Sequence, residues 1–144
     1  MLRGGLGALA AIAVVVSLVG ALSADAAGGG QVYFPSKCMG GKVKPKLVVL
    51  GCGDFNFYVN KLDWRNWGGR RTTGRGVAHV NNCNPSCAGG TFHKYRGKLR
   101  LHKIKLCPQD DRRHYTKAVF SFRGDRPNGS PHRFKQPFPC SFSG

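Results

Sequence analysis

Six cysteines, Cys38, Cys52, Cys83, Cys87, Cys107 and Cys140, all lie beyond residue 26 of a 144-residue chain, and what precedes them decides how they are read. The N-terminus carries Arg3, then the apolar run "LGALAAIAVVVSLVGAL" from Leu6 to Leu22, then the small residues "ADA" ending at Ala26. A basic start, an apolar centre and small side chains before a cleavage point are the parts of a secretory signal, so processing after Ala26 is expected. The glycines and alanines make the run weakly apolar for a membrane span, which needs roughly 20 predominantly apolar residues. No cysteine adjoins the cleavage point to carry a lipid. The expected organisation is a signal over residues 1–26, a flexible lead-in over 27–33 and a single domain over 34–144. An even number of cysteines in an exported chain reads as a disulfide framework.

Six cysteines can pair in many ways, and spacing does not choose among them. Pairing of nearest neighbours is the working assignment: Cys38 with Cys52, Cys83 with Cys87, and Cys107 with Cys140. The close pair sits in "NNCNPSCAGG", Asn81 to Gly90. Zinc needs two further ligands at matching spacing, and no second close Cys or Cys/His pair occurs, so no metal is expected and His79 and His93 on either side read as strand or surface residues. A redox role favours C-x-x-C in a reduced compartment, and neither condition applies. A stapled turn is left, with Pro85 fixing one backbone angle, Gly89 and Gly90 permitting tight geometry and asparagines capping turns. Exposed loops of this kind are also where binding sites sit.

Helical periodicity is absent. "LVVLGC" (Leu47 to Cys52) has a buried-strand pattern, and "FNFYVNKLDW" (Phe55 to Trp64) puts Phe57, Val59 and Leu62 on one side. "GVAHVN" (Gly76 to Asn81), "TFHKYRGKLRLHKIKLC" (Thr91 to Cys107) and "YTKAVFSFR" (Tyr115 to Arg123) follow, with the turn "DRPNGSP" (Asp125 to Pro131) after them. Short strands separated by turn signals predict an all-β fold, a small antiparallel sandwich or barrel stapled by up to three disulfides. Between Lys98 and Leu106, Leu99, Leu101, Ile104 and Leu106 are set to face inward, while Lys98, Arg100, Lys103 and Lys105 form a basic stripe. The alternation slips once at His102, as a bulge would cause.

The whole chain carries 23 Lys and Arg against 6 Asp, with no glutamate, for a net charge of +17. Cleavage after Ala26 removes one charge of each sign, Arg3 and Asp25, and leaves that value unchanged. Such a field attracts any polyanion, although the same charge also serves solubility. The anionic partners to consider are envelope phosphate polymers, the membrane headgroup surface and extracellular nucleic acid. Trp64 and Trp67 lie beside Arg65, Arg70, Arg71 and Arg75, a mixture of rings and cations suited to nucleic acid, sugar or phosphate polymers. Trp64 reads as core and Trp67, followed by glycines, as surface.

Catalytic signatures fail. Lack of glutamate excludes the H-E-x-x-H zinc site and the EF-hand loop. "GCGDFN" (Gly51 to Asn56) has no third glycine and is followed by a strand, so it reads as a turn and not a dinucleotide fingerprint. No serine sits in G-x-S-x-G, and cysteines in bridges are unavailable as nucleophiles. An acid and base drawn from Asp54, Asp63, His79 and His93 remain for a phosphodiesterase or glycosidase, Asp54 and His79 being the first to test.

Four segments carry a resemblance: "FPSKCMGGKVKP" (Phe34 to Pro45), "VVLGCGDFNFYVNKLDWRNWG" (Val48 to Gly68), "GRGVAHVNNCNPSCAGGTFHKY" (Gly74 to Tyr95) and "RRHYTKAVFSFRGDRPNG" (Arg112 to Gly129). With C-G-D, W-x-x-W, G-x-G and C-x-P-x-C-A-x-G in that order, the chain resembles a set of small secreted actinobacterial proteins of unknown function. The resemblance implies a high-GC Gram-positive host and an extracellular or cell-envelope location, and no particular activity. The expectation is a secreted, monomeric, non-enzymatic domain without a cofactor that binds anionic polymers through Lys98, Arg100, Lys103, Lys105, Trp67, Arg70, Arg71 and Arg75. The alternatives are a hydrolase using Asp54 and His79, and an inhibitor or protein-interaction module using the Asn81 to Gly90 loop.

Overall fold

A computed structural model describes residues 30–144 of the chain; the expected signal, residues 1–26, lies outside the described residues. The elements are β1 (Val32–Tyr33), β2 (Val48–Val49), β3 (Phe57–Arg65), β4 (Arg71–Asn81), β5 (Phe92–Cys107), β6 (Arg112–Phe122), β7 (Arg133–Pro137) and a short 3-10 turn at Cys140–Phe142. They form one seven-stranded sheet in the order β1-β6-β5-β4-β3-β2, with β7 also on β6. All pairings are antiparallel except that of β1 with β6.

The sheet curls until its two ends meet. Just past β1, the Ser36 carbonyl accepts a hydrogen bond from the Val49 N–H of β2 at 2.7 Å. Inside the curl, Phe57 of β3 meets Phe134 of β7, with ring centroids 4.8 Å apart, and Phe120 of β6 at 5.8 Å. Leu99, Leu101, Val59, Leu62, Phe34, Val48 and Phe138 complete the core, all but fully buried. The all-β fold expected from period-2 patterning is therefore present, in its barrel-like form.

Glycine makes the curl possible. Gly76 of β4 and Gly97 of β5 are direct cross-strand partners on the inner face. A Cβ on Gly76 would meet the Asn60 carbonyl at 2.7 Å and Leu62 Cδ2 at 2.9 Å, and one on Gly97 would meet the Phe120 ring and the Ser121 carbonyl. The paired gap admits Leu62 and Phe120 from the two sides. Opposite Gly76, β3 carries an extra residue: the β3–β4 register shifts between Asn60 and Asp63, and Lys61 is left-handed at φ 52°. That bulge is why Phe57, Val59 and Leu62 share the inner face despite their uneven spacing.

Several sequence expectations change. The bulge expected at His102 is absent, because β5 keeps one register with β6 on both sides of the break, His102 opposite Lys117 and Ile104 opposite Tyr115. Alternation breaks instead through a local kink at Lys103, φ 61°, where the β4–β5 pairing ends at Arg71 and His102. Beyond it Leu106, expected inside, is 63% exposed. The strand expected from Gly76 begins at Arg71, and Val32, within the expected lead-in, is buried and pairs with Arg113.

The three disulfides are Cys38–Cys52, Cys83–Cys87 and Cys107–Cys140, the nearest-neighbour set. In the chain-entropy picture the 33-residue separation of the last pair is worth about 4 kcal/mol, against about 2 for the shortest. Urea unfolding of the Cys107→Ser/Cys140→Ser variant is expected to show a loss near the larger figure, and the Cys83→Ser/Cys87→Ser variant a loss about half as large.

Candidate functional site

Residues paired across antiparallel strands project to the same side of the sheet, so the register maps the outer face directly. One row runs Asp63, Arg75, Lys98, Ser121, Arg133 from β3 to β7. The next runs Arg65, Thr73, Arg100, Val119, Lys135, and a third Arg71, His102, Lys117, Pro137. Every Lys and Arg in these rows is exposed. Neighbours within a row stand about 4.8 Å apart, and successive rows, two residues further along each strand, about 6.6 Å apart. The result is a lattice of cations with a carboxylate, Asp63, at one margin.

A groove of about 550 Å³ crosses the lattice, lined by Arg75, Lys98, Arg100, Arg123, His132 and Arg133 together with Thr73, Ser121, Phe122 and Gly124. Arg75, Lys98, Arg100, Arg123 and Arg133 make no ion pair with any described residue. A second groove beside it is lined by Arg70, Arg71, His102, Lys103, Ile104 and Arg113. Of the expected binding residues, Arg75, Lys98 and Arg100 thus share one groove and Arg70, Arg71 and Lys103 the next. Lys105 stands apart near the end of β5, opposite His114.

Trp67 is corrected. It was expected on the surface, yet its indole N–H donates to the Val32 carbonyl at 3.0 Å and its ring packs edge-on against Trp64 and Tyr115. Trp64, expected in the core, is half-buried against it like Trp67, its N–H donating to the Pro45 carbonyl at 2.7 Å. The pair braces the β3–β4 turn against β1 and leaves neither indole N–H free.

Arg123, His132, Arg133, Lys135 and Lys117 escaped the sequence reading. The alternation in "RFKQP" over Arg133–Pro137 was the available sign, since Arg133 and Lys135 share a side while Phe134 packs inward against the core.

Asp54 and His79 have different partners. The Asp54 carboxylate accepts the Asn56 backbone N–H at 3.1 Å in an exposed turn, and hydrogen bonds from the Asn56 side chain and backbone lower its pKa. His79 lies on the outer face of β4, opposite Tyr58, whose ring stacks on it at 4.6 Å and 9°. Burial, then Lys94 and Lys61, lower its pKa. No hydrogen bond or ion pair joins the two. Asp63 faces Arg75 across the β3–β4 pair, and His93 Nε2 lies 3.3 Å from the Asn82 amide. Among the described residues no three His, Cys, Asp or Glu side chains converge as metal ligands would.

The Asn81 to Gly90 loop is a stapled turn. Asn81 Oδ1 accepts the Cys83 N–H and its amide donates to the Cys87 carbonyl, while Asn82 Oδ1 accepts from Asn84 and Thr91. The Asn81 and Asn82 side chains are thus engaged within the loop and by Asn56 and His93 beside it.

His102 reports the field of the basic face. Burial, then Arg71, Lys103, Lys117 and Arg100, lower its pKa. An imidazole whose folded pKa lies below its unfolded value of about 6.5 contributes stability above that pH, and loses the contribution as pH falls through the folded value. Tm is therefore expected to decline as pH drops below about 6.5. A His79→Gln/His102→Gln variant should show a shallower decline in the same thermal scans.

No family model, curated protein or solved structure matches the chain. Three disulfides in a small all-β domain fit an oxidising, extracellular setting, and among the described residues no helix is long and apolar enough to cross a membrane.

Proposed function

We propose that this is a secreted, non-enzymatic module that holds anionic polymers on the outer face of its curled sheet. The observation that carries the reading is the register-built lattice of exposed cations, with Arg75, Lys98, Arg100, Arg123 and Arg133 unpaired around one groove. Unpaired cations at sheet spacing suit a repeating phosphate chain, which gains from many weak contacts at once. The signal-like N-terminus, the disulfides and the resemblance to secreted actinobacterial proteins support an extracellular setting. Asp54 and His79, the acid and base first considered for hydrolysis, have different partners, Asp54 the Asn56 N–H and His79 the Tyr58 ring.

Binding of the oxidised protein to a teichoic-type phosphate polymer, DNA and an uncharged polysaccharide, from low to high salt, tests the reading. Log affinity for both polyanions should fall linearly with log salt, by about 0.7 to 0.9 per phosphate engaged, and the neutral polymer should not bind. Affinity should also rise as pH falls through the His79 and His102 titrations, because a bound anion favours their charged forms. Absence of polyanion binding at low salt would reduce the charge to a solubility feature.

A further inference from the structure

The outer column of β5 reads Phe92, Lys94, Arg96, Lys98, Arg100, every second residue from the start of the strand. All five are exposed. Arg75, Lys98 and Arg123 belong both to the first groove and to a second depression lined by Lys61 and Arg96, so the cationic path continues toward the Phe92 end. At that end the face changes chemistry. Phe92 is 41% exposed, and its ring lies 5.5 Å from that of half-buried Tyr58, which stacks in turn on His79.

These rings lie outside the core and pack on one another. A core phenylalanine of this fold, such as Phe34 or Phe120, is fully buried, whereas Phe92 stands on the solvent side of the sheet next to Lys94. A phosphate polymer without planar rings gains nothing from it. A duplex keeps the faces of its bases stacked inside and shows only backbone and base edges. A single strand presents both parts, phosphates in series and unpaired bases with open faces. The cations along β5 recur about every 6.6 Å, of the order of the step between phosphates in an extended strand.

We propose that the outer face binds single-stranded nucleic acid, with the phosphates along Lys94, Arg96, Lys98 and Arg100 and a base stacked on Phe92 beside Tyr58. This rests on the polyanion reading above and adds to it the class of polymer and a stacking platform.

Affinity is measured for oligo-dT, an abasic strand of the same length, a duplex of the same length and inorganic polyphosphate. Wild type, Phe92→Ala and Phe92→Trp are compared, with folding of each variant checked by circular dichroism. Oligo-dT is expected to bind the wild type about 5- to 100-fold more tightly than the abasic strand, with the gap persisting at high salt. Phe92→Ala should close the gap without changing affinity for the abasic strand, and Phe92→Trp should keep it. Equal affinity for oligo-dT and the abasic strand would overturn the inference and leave polyanion binding standing. Tighter binding of polyphosphate or of duplex than of oligo-dT would overturn it in favour of a phosphate polymer or double-helical ligand. Failure of all four probes to bind would remove the polyanion reading as well.

Discussion

Reversing Lys98 and Arg100 to glutamate is expected to weaken binding to any polyanion by about 10²- to 10³-fold at low salt, on the basis of about 1 kcal/mol for each unit of charge at contact distance in water. Two cations are lost and two anions gained, which changes the local charge by four units. Both side chains are exposed and line the same groove, so the cost to folding is small. The Lys98→Glu change also brings a carboxylate opposite Arg75, its register partner on β4, and a new cross-strand pair there would withdraw that cation from ligand. The effect should shrink toward nothing near 1 M salt, where the Debye length falls to about 3 Å. Reversal of Lys105, on the far side of the kink and outside both grooves, changes the charge by two units and is the control, expected to cost well under the roughly 30-fold that two units cost at contact distance. Equal losses per unit of charge for the two variants would mean that net charge, and not the arranged face, governs binding.

The parts of this face differ in how far the amino-acid order exposes them. Strand β5 is legible up to the slip at His102, where the parity that buries Leu99 and Leu101 places Lys98 and Arg100 outside. The same parity puts Phe92 with the cations, yet Trp67 drew attention instead because arginines surround it in the chain. Adjacency along the chain says little about adjacency across a sheet: Trp67 turns to Val32, 35 residues away. What pattern cannot supply is register. Arg133, on a strand of five residues, reaches Lys98 only through Ser121 of β6, which pairs with both. Strand β2, Val48–Val49, falls within the apolar run read as a buried strand, whereas β1, two residues in the expected lead-in, carries no pattern and is defined by its long-range pairing with β6. The G-x-G of Gly74 and Gly76 was visible only as part of a resemblance. Its physical reason is close packing, since added Cβ atoms would strike Trp64 and Leu62.

Gly97→Val is expected to cost about 3 kcal/mol or more, a large share of the total stability of about 5 to 15 kcal/mol that a domain of this kind has. Gly97 is buried at the centre of β5, paired with Gly76 on one side and Phe122 on the other. Even a Cβ there would overlap the end of the Phe120 ring and reach 2.5 Å from the Ser121 carbonyl. The ring can turn only within a packed core, and it already contacts Phe57 and Phe122. The carbonyl belongs to the β5–β6 ladder, so moving it breaks backbone hydrogen bonds on which the curl depends. These two obstacles separate under mutation. Adding Phe120→Leu to Gly97→Ala should relieve the ring contact and recover part of the lost stability, while the backbone contact remains. Gly53→Ala, where an added Cβ meets nothing within 4 Å, should stay within about 0.5 kcal/mol of wild type. Urea unfolding midpoints for the four proteins check the order, and a Gly97→Val protein as stable as Gly53→Ala would show that the sheet reaches its curl without the paired glycines.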